Sequence, residues 1–250
     1  MTIFRLDGKR ALVTGALGRI GAAVAEGLVD AGADTIGLDI AEAPGARAFS
    51  VETADLSDPE AATQLVRGLD ERFGGFDIWI NCAYPRTDDW GAGPPRESPA
   101  SWTANVTMQM TASCVAADAA AQAMARRGRG GAILNVASIY GLVAPDFDVY
   151  DGTTMTTPAA YSAIKGGMIN HTRYLAARYG ETGVRVNAIA PGGVAAGQPD
   201  SFVAAYNRRT ALKRMAEAHD LVGPSVFLVS DAAAYVTGVV LPVDGGWTAL

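Results

Sequence analysis

Val13-Thr14-Gly15-Ala16-Leu17-Gly18-Arg19-Ile20-Gly21 joins a short apolar run, Ala11-Leu12-Val13, to a segment in which Ile20, Ala23, Val24, Gly27, Leu28 and Ala31 recur at helical spacing. Strand, glycine-rich turn and amphipathic helix in that order predict the opening β-turn-α unit of a doubly wound parallel sheet. Gly15, Gly18 and Gly21 allow a tight turn and a close approach of backbone to a pyrophosphate. The helix start that follows supplies N–H donors and the positive end of a dipole, with Leu17, Arg19 and Ile20 lining the same turn. A second strand, 35–38, ends at Asp39, which stands 18 residues beyond Gly21. A carboxylate there accepts hydrogen bonds from the adenosine ribose hydroxyls and repels a 2′-phosphate, so NAD is expected in preference to NADP. Arg19 is the opposing signal, because a guanidinium in the turn can reach a phosphate.

Outward from this unit, short β-branched runs alternate with longer Ala-rich helical stretches, the pattern of repeated βαβ units. Further strands are expected at 77–81, 132–136, 184–189 and 239–243, and helices at 58–73, 100–127, 158–180, 200–217 and 220–230. Neither an internal repeat nor a Pro/Gly/Ser-rich linker divides the chain, so residues 1–250 read as one α/β domain of Rossmann type. Its dinucleotide-binding half covers about 6–130 and its catalytic and substrate half about 131–250. Two stretches, 84–99 and 145–158, interrupt the rhythm. Loops at the carboxyl ends of parallel strands form the ligand crevice, which makes both candidate pocket walls.

Composition narrows the function classes. The 250 residues carry 20 Lys and Arg against 26 Asp and Glu, a net charge of −6, with 49% apolar residues. An acidic chain is repelled by nucleic acid and by anionic membranes, so neither is an expected partner. Cys82 and Cys114 are too few for a disulfide framework, and His171 and His219 lack metal-ligand spacing, so no metal is expected. With no apolar leader at the N-terminus and no run long enough to span a bilayer, a cytoplasmic protein is expected.

Tyr161-Ser162-Ala163-Ile164-Lys165 puts a phenol and an ammonium at i and i+4, on one face of a helix. A free tyrosine titrates near pH 10. A fixed cation one turn away favours the phenolate, which predicts that Lys165 lowers the Tyr161 pKa and makes it a usable acid/base. Tyr150 is a rival for that role, but Thr154, four residues on, carries no charge.

These pieces, with Asp55-Leu56, Asn81-Cys82-Ala83, Asn105, Asn135-Val136-Ala137-Ser138, Arg185-Val186-Asn187-Ala188-Ile189, Pro191-Gly192 and Val243-Asp244-Gly245-Gly246, resemble the short-chain dehydrogenase/reductase family from about residue 6 onward. The resemblance implies a sheet of about seven strands. It also implies a catalytic set in which Ser138 polarises the substrate oxygen, Tyr161 exchanges its proton, Lys165 holds the nicotinamide ribose and Asn105 anchors a water relay. Asp55, Leu56, Asn81, Ala83, Pro191, Gly192 and Val194 join the glycine turn, Asp39, Tyr161 and Lys165 as cofactor-binding residues by the same resemblance. It further implies a homo-oligomer, a dimer or homotetramer, paired through helices 100–127 and 158–180. The sequence departs from the family pattern at Arg19, at Tyr84 where glycine is common, and at Ala196 where threonine is usual. About ten extra residues, 145–155, separate Ser138 from Tyr161.

Around the expected pocket mouth stand Tyr84, Arg86, Trp90, Tyr140, Asp146, Asp148, Tyr150, Gln198 and Tyr206. Acceptors for hydroxyls and aromatic faces for C–H surfaces suit a polyhydroxylated, sugar-like small molecule. Tyr84, Tyr140, Asp146, Tyr150, Gln198 and Tyr206 are the expected substrate contacts. The segments 140–147 and 155–161 resemble a branch associated with flagellin modification and surface-glycan clusters. The expectation is an NAD(H)-dependent oxidoreductase interconverting a secondary alcohol and a ketone. Its alternatives are an NADPH-dependent reductase of acyl or small ketone substrates, a nucleotide-sugar epimerase or dehydratase, and a non-catalytic NAD-binding protein.

Overall fold

A computed structural model describes residues 2–91 and 98–250. Seven parallel strands form one sheet: β1 (Arg10–Thr14), β2 (Asp34–Asp39), β3 (Ser50–Thr53), β4 (Ile78–Asn81), β5 (Gly131–Val136), β6 (Val184–Pro191) and β7 (Val240–Val243), in the order β3-β2-β1-β4-β5-β6-β7. The order reverses beside β1, where Val13 pairs with Gly37 of β2 on one side and Ile80 of β4 on the other. A crevice therefore opens above the carboxyl ends of β1 and β4. Thr14 fixes its floor, because its hydroxyl accepts the N–H groups of Cys82 (2.9 Å) and Ala83 (3.0 Å) just past β4.

Both faces of the sheet are covered, and alternation along the strands divides the core accordingly. Leu12 packs with Val66, Ala120 and Leu175, whereas its neighbours Ala11 and Val13 pack with Val24, Leu28 and Leu228. The helices are α1 (Arg19–Asp30), α2 (Pro59–Arg72), α3 (Pro99–Asn105), α4 (Ala112–Arg127), α5 (Ala159–Tyr179), α6 (Asp200–Arg209) and α7 (Val222–Val229), of which α1, α2, α4, α5 and α7 supply these contacts. In α2, Pro59 takes the first helical position and the Asp58 carboxylate caps Ala61 N–H at 2.8 Å.

Three helix expectations are corrected. The helix expected over 100–127 is interrupted by a π-helical stretch, Val106–Thr111, between α3 and α4. The one expected over 200–217 stops at Arg209. The chain then turns through Lys213, in the left-handed region at φ 55°, and returns so that Ala216 bridges Val194. The one expected over 220–230 begins as a 3-10 turn, Ala218–Leu221, and is α-helical only from Val222. The segment between Ser138 and α5 also has local structure, a 3-10 turn at Phe147–Tyr150 capped by the Asp146 carboxylate.

Candidate active site

The crevice has a volume of about 1150 Å³. At one end it is floored by the turn between β1 and α1. Gly15 adopts φ +65°, and a Cβ there would stand 2.8 Å from Ala83 Cα, while a Cβ on Gly21 would stand 2.1 Å from the Gly15 carbonyl oxygen. No side chain caps the start of α1, so its first N–H groups face the crevice. Beside them Asp39 is pinned, one carboxylate oxygen accepting Leu17 N–H at 2.9 Å and the other Ala41 N–H at 3.2 Å. Gly18, Arg19, Ile20, Asp55 and Leu56 complete this end, with Ile40 as an additional lining residue. The glycine cradle, uncapped helix start and adjacent carboxylate fit the pyrophosphate and adenosine ribose of a dinucleotide.

At the other end Ser138, Tyr161 and Lys165 line the same crevice. Ser138 stands two residues beyond β5 and caps a 3-10 turn, Ile139–Gly141, by accepting Tyr140 N–H at 3.2 Å. That turn abuts α5 so closely that a Cβ on Gly141 would lie 2.7 Å from the Lys165 carbonyl carbon. The Lys165 ammonium is buried, donates to the Val136 carbonyl at 2.9 Å and lies 5.7 Å from the centre of the Tyr161 ring. Burial brings its pKa down to about 8.

Tyr161 sits in an aromatic enclosure. Tyr84, Trp90 and Tyr140 meet its ring edge-on at 5.8, 6.2 and 6.4 Å. Burial raises the phenol pKa, and the neighbouring Ser138 hydroxyl pulls it back. The expectation that Lys165 makes the phenol acidic is thereby corrected. Desolvation by the three surrounding rings dominates, and the ammonium is directed at Val136.

Three expected site residues do not line the crevice. Asn81 is buried beneath it, accepting from Trp79 Nε1 (2.8 Å) and donating to Asn135 Oδ1 (2.8 Å) and the Ser113 carbonyl (3.1 Å). Its side chain braces β4 against β5 rather than reaching a cofactor. Asn105, at the junction of α3 with the π stretch, donates to Thr87 Oγ1 (2.7 Å) and accepts from Gln109 Nε2 (3.1 Å), tying the loop after β4 to the helix. Asp146 is held by Arg209 at 2.7 Å, so its charge is balanced by α6 and not offered to a ligand.

Ala83, Tyr84, Tyr140, Tyr150, Pro191, Gly192, Val194, Gln198 and Tyr206 do line it. Several of their polar atoms are already bonded within the protein. The Tyr84 hydroxyl accepts Trp90 Nε1 at 2.7 Å, the Tyr140 and Tyr150 hydroxyls are 3.2 Å apart, and the Gln198 amide closes on Val194 O and Ala196 N. The Tyr206 hydroxyl accepts the Gly193 N–H while its ring stacks on Trp247 at 4.5 Å. These residues present ring faces and edges to a ligand. Sequence reasoning missed Met108 and Phe202 as crevice residues. The i, i+4 spacing of Phe202 and Tyr206 on α6 could have shown the second, whereas nothing in the sequence marks the π stretch that presents Met108.

A family model described as enoyl-(acyl carrier protein) reductase matches residues 15–248. The post-translational flagellin modification protein A of Campylobacter coli is 30% identical over 97% of this chain and 99% of its own length. A short-chain dehydrogenase from Leptospira borgpetersenii, solved with bound NAD+, superposes with a TM-score of 0.88 at 30% identity, covering 98% of this chain and 94% of that one. A gluconate 5-dehydrogenase from Burkholderia cenocepacia, solved with NADP and tartrate, gives 0.87 at 28% identity over 100% and 98%. The chain belongs to the short-chain dehydrogenase/reductase family. It is a pyridine-nucleotide-dependent oxidoreductase acting on CH–OH groups.

Proposed function

We propose that the protein interconverts a secondary alcohol and a ketone on a sugar-like substrate, using NAD(H). The observation that carries this reading is the convergence of Ser138, Tyr161 and Lys165 on the end of the crevice opposite the glycine turn. In the oxidative direction Tyr161, as phenolate, takes the proton of the substrate hydroxyl while the Ser138 hydroxyl donates a hydrogen bond to the same oxygen. When bound, the nicotinamide supplies the acceptor for the hydride that leaves the carbinol carbon. Lys165, anchored on Val136, holds the nicotinamide ribose. Asn105 keeps the loop bearing Tyr84 and Trp90 in place.

Asp39 supports NAD, because a pinned carboxylate at the ribose end repels a 2′-phosphate. Arg19, exposed and lining the same end, favours NADP as the second reading of the cofactor. The aromatic enclosure supports a compact, ring-sized or short-chain polyol over a long acyl chain. The flagellin-modification and gluconate-dehydrogenase relatives support sugar chemistry. Pairing through α4 and α5 into a homo-oligomer is part of the same proposal.

The test is Tyr161→Phe. It lowers turnover by roughly 10²–10⁴-fold, the usual worth of general acid–base catalysis, and leaves NAD binding, read by fluorescence titration, within a few-fold. Undiminished turnover would overturn the assignment.

A further inference from the structure

At the substrate end of the crevice the uncharged polar side chains beyond Ser138 and Tyr161 are largely engaged with one another or with backbone: Tyr84 with Trp90, Tyr140 with Tyr150, Gln198 and Tyr206 with loop N–H groups. Charge there is also one-sided. Asp39 ends β2 and Asp55 follows β3, both at the glycine-turn end, and Asp146 is balanced by Arg209 away from the lining. Among the described lining residues, the substrate end holds two cations and no acid. One is Lys165, bonded to Val136; the other is Arg86. Arg86 is exposed and forms no hydrogen bond or ion pair among the described residues. Its guanidinium lies over the Tyr84 ring, 5.5 Å from the centroid, and that ring meets Tyr161 edge-on at 5.8 Å.

We infer that Arg86 binds a carboxylate of the substrate, which makes the molecule oxidised a polyhydroxy acid rather than a neutral polyol. The inference rests on the proposed dehydrogenase reading and narrows it. The guanidinium over the Tyr84 ring has no hydrogen-bond or ion-pair partner among the described residues, and its planar fork matches a carboxylate bidentately. Because one aromatic ring separates Arg86 from Tyr161, the hydroxyl oxidised is several carbons from the carboxylate and not the one adjacent to it.

Five- and six-carbon aldonates, and the alditols of equal length, are compared as substrates with NAD for the wild-type enzyme, Arg86→Ala and Arg86→Lys. The wild type prefers the aldonates. Arg86→Ala raises their KM roughly 10–100-fold, the range for a charged hydrogen bond, and by more than it raises that of the alditols. Arg86→Lys recovers part of the loss, since charge returns without the fork. Binding is read separately, as protection of the NADH complex against thermal unfolding by gluconate, in the wild type and in Arg86→Ala. Equal or absent protection in the two overturns the inference. So does an alditol preference in the wild type, or an equal effect of Arg86→Ala on both series, and either leaves the dehydrogenase reading standing. If no alcohol reduces NAD and Tyr161→Phe matches the wild type, it is the dehydrogenase reading that fails.

Discussion

Asp146, in the segment between Ser138 and α5, and Arg209, the last residue of α6, form an ion pair of 2.7 Å. With the ring contact of Tyr150 on Phe202 at 5.3 Å, it fastens two walls of the crevice together. Arg209 is about half exposed, so the pair adds little to global stability, on the order of 0–1 kcal/mol after solvent screening. Its effect is local. Arg209→Ala and Asp146→Asn each raise the substrate KM about 2–5-fold, leaving the NAD KM and the melting temperature nearly unchanged; steady-state kinetics and a thermal melt read both.

Tyr84 sets the solvent exposure of Tyr161. Removing the Tyr84 ring admits water to a phenol whose pKa burial has raised, so Tyr84→Ala moves that pKa down. Oxidation requires the phenolate, and its rate therefore begins to rise at lower pH in this variant. Ser138→Ala acts in the opposite sense, because the hydroxyl that lowers the phenol pKa is gone. The pH dependence of kcat/KM for alcohol oxidation separates the two, and unshifted or same-direction profiles would contradict this account.

Lys165 is a stability liability held for function. Its folded-state pKa of about 8 lies below the ordinary 10.5. Between those values the unfolded chain binds more protons than the folded one, so this group's contribution to stability rises with pH across that window. At neutral pH its burial costs on the order of 3 kcal/mol, less about 1 kcal/mol regained from the bond to Val136. Lys165→Met is accordingly inactive yet melts about 2–6 °C higher at pH 7, and the gap narrows as pH rises from about 8 toward 10.5. Calorimetry of the two proteins over that range is the measurement.

Asp39 governs the choice of cofactor. Asp39→Ala removes the acceptor for ribose hydroxyls and the repulsion of a 2′-phosphate, while Arg19 stays in place. The ratio of kcat/KM with NAD to that with NADP falls by about tenfold or more in this variant, about one charged hydrogen bond. A ratio that holds constant, measured at matched concentrations of the two nucleotides, refutes the role.

The glycine turn, Asp39 and the Tyr161/Lys165 pair were legible because each depends on local spacing: strand to turn to helix, strand end, and one helical turn. β3 was not, since Ser50-Val51-Glu52-Thr53 is a short, largely polar edge strand without an apolar run. The end of α6 was missed because Thr210–Ala216 keeps a helix-like composition while Thr210 is buried and Lys213 turns the chain back. The partners of polar side chains were also out of reach. Asp146 reads as a ligand acceptor until Arg209, distant in sequence, is found beside it. The Tyr161 pKa went the wrong way for the same reason, because the three rings that desolvate it come from two loops distant from it in sequence, Tyr84 and Trp90 from one and Tyr140 from the other.

The π stretch Val106–Thr111 constrains how this chain tolerates change. It accommodates surplus backbone inside a continuous rod, so excising one residue there would restore an ordinary helical ladder and swing everything upstream by about 100°. Asn105 would then leave Thr87, and the loop carrying Tyr84, Arg86 and Trp90 would lose its mooring. Length in this helix is therefore guarded strictly, and descendants of this sequence are expected to keep the count across 106–111 together with Gln109, whose amide holds Asn105.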